Sequence, residues 1–302
     1  MTLTLRRPAR AALLYAAALL LAAWILIPFG WMVLTSFSTD ADALQKPLRL
    51  LPANPTLENY ATFLGLGEEG LNVSGRPGDS RTYAYNAVKG TPRALLNSFV
   101  VALASSLCIL VIGSMGAYSF VRYPLPFSTT LLTLLLGTRM IPSIAIMIPI
   151  YQLLDFYKLI DTLLALVLAY TTFLLPFSIW VLKSYFQTIP RDLEDAALVD
   201  GCGWTRMMWH VFLPVAVPGL VATGMFTFMA SWDEFLYALL LTTSGSARTM
   251  PVVVSLFAVD ILFKDMTLLM TAGVLAVIVP LVLALGFQRV IIRGLAAGAV
   301  RG

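Results

Sequence analysis

The chain has 302 residues, of which 59% are hydrophobic and only 12% charged, and its formal net charge is +4. A soluble domain carries about 25% charged residues, so the composition excludes that class, and the mild positive balance gives no basis for a nucleic-acid partner. Six apolar runs, 11–37, 95–121, 127–153, 163–186, 215–241 and 268–292, each reach the ~20 residues with which a helix crosses a ~30 Å hydrocarbon core. The reading is an all-α membrane protein with six transmembrane helices, organised as one membrane domain over 1–302.

The first run follows Arg6, Arg7 and Arg10. It exceeds the roughly 7 to 15 apolar residues of a secretory signal, so it reads as an uncleaved span. The segment 38–93 then reads as irregular, because Pro47, Pro52, Pro55, Gly65, Gly67, Gly70, Gly75, Pro77 and Gly78 interrupt any period. Within it, Thr56 to Tyr60 suggests a short helix capped by Thr56, with a plain linker as the alternative. Runs two and three are joined by a tight turn holding Arg122. Pro142, Pro149 and Pro176 mark kinks in runs three and four, in a moving or a static bundle alike.

Three charges fall at membrane depth: Arg139 in run three, and Asp233 and Glu234 in run five. Such groups are costly unless they line a cavity or pair with one another, and the sequence leaves both readings open. The connection 242–267 contains Gly245 and Pro251, with the apolar stretch Val252 to Val259 allowing a re-entrant hairpin. Cys108 and Cys202 lie at different depths and are not expected to pair. His210 is expected at the membrane surface, since no ligand cluster accompanies it.

Between runs four and five, 188–214 is a polar island that belongs in water. Pro190 can start a helix, Asp192, Glu194 and Asp195 place negative charge at its N-terminal end, and Gly201 and Gly203 can stop it. One or two turns are expected, with Leu193, Ala196 and Ala197 as a small apolar stripe at i, i+3, i+4 spacing. A second short helix is expected from about Trp204 to Phe212, before Pro214 and Pro218 lead into run five. An interfacial helix on the headgroups would account for Trp204 and Met207, but an anionic leaflet would repel the acids.

Ten basic residues favour one face as cytoplasmic: Arg6, Arg7, Arg10, Arg122, Lys183, Arg191, Arg206, Arg289, Arg293 and Arg301. The opposite short connections hold Lys158, Arg248 and Lys264. With six spans both termini are then cytoplasmic, 38–93 is extracytoplasmic, and 293–302 is a cytoplasmic tail. No G-x-x-x-x-G-K-[ST] phosphate loop is present, so the chain is not expected to be an enzyme with its own ATPase site.

The segment from Ile189 to Pro218 resembles the EAA loop of ABC-transporter permeases, whose pattern is Glu-Ala-Ala, two residues, Asp-Gly and a later Leu-Pro. The matching residues are Asp195-Ala196-Ala197, Asp200-Gly201 and Leu213-Pro214. Asp replaces the usual Glu at the first position, which keeps the charge and shortens the reach. The stretch Gln288-Arg289 with Gly294 to Gly302 resembles the tail of MalG-type subunits of carbohydrate importers. Trp232-Asp233-Glu234-Phe235 is similar to a Trp-Asn-Glu-Phe run of such permeases.

The resemblance implies a type I ABC importer permease working with a second, MalF-type permease, two ATP-binding subunits and an extracytoplasmic sugar-binding protein in the cell inner membrane. It implies that 188–214 is a coupling loop to the ATPases through Leu193, Asp195, Ala196, Ala197, Asp200 and Gly201. Gly298 and Arg301 of the tail would reach the ATPase interface. Trp232, Asp233, Glu234 and Tyr237 would line a sugar path or gate, with the two aromatic rings as stacking faces. The chain itself would hold no cofactor, ATP and Mg being used by the partners. The cargo would be a di- or oligosaccharide resembling maltose or trehalose, and 242–267 would meet the binding protein. Other classes are an ion-driven secondary transporter, which would show inverted repeats or a proton relay, and a scaffold, which would leave the acidic island unexplained.

Overall fold

The computed structural model describes residues 7–43, 45, 51–64, 66, 80–260 and 266–299. Arg6, Pro47, the glycines from Gly65 to Gly78, Lys264 and Arg301 lie outside the described residues. Among the described residues the regular elements are helices: α1 (Arg7–Ser36), α2 (Asp40–Ala43), α3 (Glu58–Phe63), α4 (Ser80–Arg122), α5 (Ser128–Gly137), α6 (Ser143–Phe156), α7 (Leu163–Phe186), α8 (Asp192–Val199), α9 (Trp204–Met207), α10 (Leu213–Trp232), α11 (Leu236–Leu241), α12 (Met250–Asp260) and α13 (Met266–Ala299).

Five stretches are long and apolar enough to cross a membrane: Ala11–Ser36, Gly90–Arg122, Leu163–Phe186, Trp204–Trp232 and Met266–Gln288. A sixth crossing exists if Ser128–Met140 and Ser143–Phe156 count as one, and these meet at 95°. The kink expected within 127–153 is therefore a full break between two helices. Pro142 has no N–H to donate and disfavours helix at the residue before it, and Ile141 is extended at φ −72°, ψ 127°.

The span expected over 215–241 differs at both ends. Instead of a separate short helix before Pro214, α9 runs through a π-helical turn, Met208–Phe212, directly into α10. Pro214 follows this turn at once, so its missing N–H falls where the bonding pattern has already widened to the π form. At the far end α10 stops at Trp232, and Asp233 to Phe235 separate it from α11. Asp233 and Glu234 thus occupy a break between helices, not the interior of one. Beyond the expected bounds, α4 starts at Ser80 and α13 continues to Ala299, taking Gly298 into the helix.

The chain has two compact units, Met1–Lys89 with Val254–Val277, and Gly90–Val253 with Ile278–Gly302. The first is closed by a polar knot at the end of α1. The Ser36 and Tyr60 hydroxyls lie 2.6 Å apart, Asn59 Nδ2 donates to the carbonyls of Ser36 and Ser38, and Thr271 Oγ1 donates to the carbonyl of Ser36. The Thr56 hydroxyl accepts the Glu58 N–H at 3.1 Å at the start of α3. These bonds join distant sequence segments to one another locally, which is why they form their own unit.

In the second unit, small residues let long helices approach, as membrane packing favours. A Cβ at Gly116 of α4 would lie 3.3 Å from Ile179 of α7, and one at Gly219 of α10 would meet the Tyr185 ring of α7. At one end of α7 the core gathers Tyr118, Leu182, Phe186, Ala197, Met207 and Phe212. At the other it gathers Leu154, Leu166, Tyr170, Tyr237, Leu241 and Val252.

Candidate functional site

The island between α7 and α10 folds as its local sequence dictates. Three acids in the first turn of α8 face the positive end of the helix dipole, and the N–H groups of Glu194 and Asp195 close on the Arg191 carbonyl at 2.9 and 3.1 Å. At the other end Gly201 takes φ +81°, the left-handed region that a residue without Cβ enters freely. That conformation lets the Gly201 N–H reach the Leu198 carbonyl at 3.1 Å and the Cys202 N–H reach the Ala197 carbonyl at 3.0 Å. Two of the orphan carbonyls at this helix end, those of Ala197 and Leu198, are thereby satisfied.

The expected stripe of Leu193, Ala196 and Ala197 is split by the fold. Ala197 is buried, while Leu193 and Ala196 are exposed, as are Asp195, Asp200 and Gly201. The residue that joins Ala197 inside is Glu194, only 5% exposed, because positions three apart share a helix face. Glu194 Oε1 accepts from Arg122 Nε and Nη2, each at 2.6 Å, and Oε2 accepts from the Tyr118 hydroxyl at 2.8 Å. Arg122 Nη2 also donates to the Ile189 carbonyl at 3.1 Å, and its guanidinium lies 5.7 Å from the Phe212 ring centre. Sequence reasoning counted Arg122 only toward topology and Glu194 only toward the dipole. The available signal was a single arginine at the end of a span and an acid at i−3 from a small residue.

Among the described residues, the membrane-depth charges form no salt bridge with one another. Arg139, in the short 3-10 turn Thr138–Met140, donates to the Phe173 carbonyl at 2.7 Å and sits 3.8 Å from the centre of the Phe173 ring. A carbonyl and an aromatic face thus satisfy the guanidinium, in place of the salt bridge with an acid that was one of the two readings.

Glu234 turns back to cap α11. Its carboxylate oxygens accept the N–H groups of Tyr237 at 3.0 Å and Ala238 at 3.2 Å. Trp232 and Tyr237 are 2% and 1% exposed, with Trp232 stacked on Phe228 and Tyr237 tilted against Phe173. In this conformation neither offers the open face expected for a sugar ring, because both fill the core. Of the four residues expected at a sugar path, Asp233 is the exposed one.

On the opposite side of the unit, the connection 242–249 is pinned from two directions. Asp161 Oδ1 accepts the N–H groups of Thr243 at 3.1 Å and Ser244 at 3.0 Å, and Asn97 Nδ2 donates to the carbonyls of Ser246 and Arg248, each at 2.9 Å. Partial burial pushes the Asp161 carboxyl up, but the hydrogen bonds from Ser244 and Thr243 and the nearby Arg248 outweigh it and hold the group below its ordinary range.

Residues 109–297 match the family of binding-protein-dependent transport system inner membrane components. The chain belongs to that family. This permease is 32% identical over 290 residues to the trehalose/maltose transport system permease protein MalG of Thermococcus litoralis, covering 96% of each chain. It is 31% identical over 278 residues to the sulfoquinovosyl glycerol transport system permease protein SmoH of Agrobacterium fabrum, covering 92% of this chain and 89% of that one. Its fold resembles a chain of a bacterial ABC transporter that imports the acidic polysaccharide alginate, with a TM-score of 0.73, 19% identity, and coverage of 95% and 99%. The permease therefore has the type I ABC importer fold and is a multi-pass inner-membrane transport component.

Proposed function

We propose that this permease forms one half of the pathway of an ATP-driven importer for a di- or oligosaccharide, together with a second, MalF-type permease. Separate ATPase subunits dock on the exposed face of α8, and an extracytoplasmic binding protein delivers the sugar. The observation that carries the reading is the two-sidedness of α8. Its inner face is tied down by Glu194 and Ala197, while Leu193, Ala196, Leu198 and Val199 are exposed among Asp192, Asp195 and Asp200. An apolar patch rimmed by charge on a loop outside the spans is the signature of a protein contact.

The small Ala196 lets a partner approach closely, and the carboxylates of Asp195 and Asp200 suit basic residues at its rim. Relatives named for trehalose, maltose and sulfoquinovosyl glycerol support a glycoside as cargo. The basic residues flanking 188–214 support a cytoplasmic location for it and for both termini. Asp233, exposed at the break between α10 and α11, is the residue through which a sugar path would be reached.

The test is reconstitution of the permease pair with its ATPase and binding protein. Leu193→Asp and Ala196→Trp are expected to lose the ATPase on purification and to abolish ATP-dependent uptake, with thermal stability unchanged. Full ATPase retention in both variants refutes the docking face. Asp233→Ala is expected to reduce uptake with the ATPase still bound.

A further inference from the structure

We propose that Glu194 and Arg122 are positioning residues that transmit movement of α8 to the membrane helices, and that Tyr118 completes the link. The inference rests on α8 being the ATPase-docking helix. A helix of two turns passes on a displacement only through what grips it. Its covalent exit runs through Gly201, Cys202 and Gly203, and a Cβ added at either glycine would meet nothing within 4 Å. The hydrogen bonds that close it, Gly201 to Leu198 and Cys202 to Ala197, run back to α8 itself. On the inner face Ala197 contributes a methyl group, which can slide.

Among the described residues of α8, Glu194 is the one whose side chain makes hydrogen bonds to the rest of the unit. Both of its oxygens are engaged, so the contact resists pulling and twisting alike. The two anchors, Tyr118 and Arg122, stand one turn apart at the end of α4, where they share a helix face and move as parts of one rod. Arg122 also holds the Ile189 carbonyl, which fixes the strap between α7 and α8 to the same point.

The link extends to the next span as well. Tyr118 packs edge-on against Phe212 at 4.9 Å and Trp204 at 6.3 Å between ring centres. Those rings lie in the π-helical turn and in α9, which continue into α10. A push on α8 therefore reaches α4 through charged hydrogen bonds and α10 through aromatic contacts. Burial strengthens the charged bonds relative to water.

The experiment uses the complete transporter in proteoliposomes with its binding protein, reading ATPase retention, ATP hydrolysis and sugar taken up per ATP. Arg122→Lys keeps the charge and loses the fork, and Glu194→Gln keeps the shape and loses the charge. Both are expected to retain the ATPase subunits, while uptake per ATP falls about tenfold, in the usual range for a coupling interaction. Combining Arg122→Glu with Glu194→Arg is expected to recover part of the loss. Tyr118→Phe, which keeps the packing, is expected to lose less.

Unchanged uptake per ATP in both single variants and in Tyr118→Phe overturns the proposal. Loss of the ATPase from Glu194→Gln also overturns it, since Glu194 would then be part of the docking surface. A wild-type permease that never retains an ATPase defeats the docking reading itself, a separate result.

Discussion

Gly201 allows a prediction in which one backbone angle decides the outcome. A Cβ at this position would have open space around it, so substitution costs nothing in collision. The cost lies in φ +81°, which puts an L-residue into the left-handed region at about 1–2 kcal/mol. That is a factor of roughly 5–30 in the equilibrium between the closed and frayed end of α8. Asn tolerates the region better than Ala, and a β-branched residue tolerates it least. The expected order of stability is therefore Gly, Asn, Ala, Val. Amide hydrogen exchange of Cys202, whose N–H closes on Ala197, measures it directly in the reconstituted permease. Protection should fall in that order, by roughly 5–30-fold for Gly201→Ala, and ATPase retention should follow it. Equal protection in the Gly and Ala proteins, or a worse result for Asn than for Ala, would refute the reasoning.

Gly219→Ala places a methyl within 2.5 Å of Tyr185 Cγ. This should lower stability by about 1–3 kcal/mol in thermal unfolding, and combining it with Tyr185→Ala should recover most of that by non-additivity. Because Asp161 titrates below its ordinary range, its hold on Thr243 and Ser244 is fully present above the unfolded value of about 3.9 and is lost as the pH falls through the lower folded value. Protection of those two amides relative to their intrinsic exchange rate should fall at acid pH in the wild type, and Asp161→Asn should remove that pH dependence.

The membrane class and most crossing regions were legible because hydropathy is local and survives any arrangement of the helices. The ends of α8 were legible for the same reason: the acids act on the dipole of their own first turn, and Gly201 supplies its own left-handed closure. The family resemblance added the function that these signals lacked. Pro142 was marked as a kink, but a proline says where hydrogen bonding must change, not that the chain will turn by 95°. The break at Asp233 carried no such warning. It is sustained by Glu234 capping α11, a choice the sequence left open between a pathway and a salt bridge.

The inward face of α8 shows where sequence reading stops. Leu193, Ala196 and Ala197 satisfy a helical stripe, yet the fold buries Glu194 with Ala197, because Arg122 and Tyr118 stand opposite. The sequence by itself determined that this chain crosses a membrane as helices and carries a short, capped, acidic helix outside it. Each of those facts depends on neighbours within a few residues. Which carboxylate turns inward, which carbonyl holds Arg139 and which aromatic rings are closed to solvent were decided only by tertiary structure. Burial makes an unpaired charge too costly, and the partner that relieves it can come from anywhere along the chain.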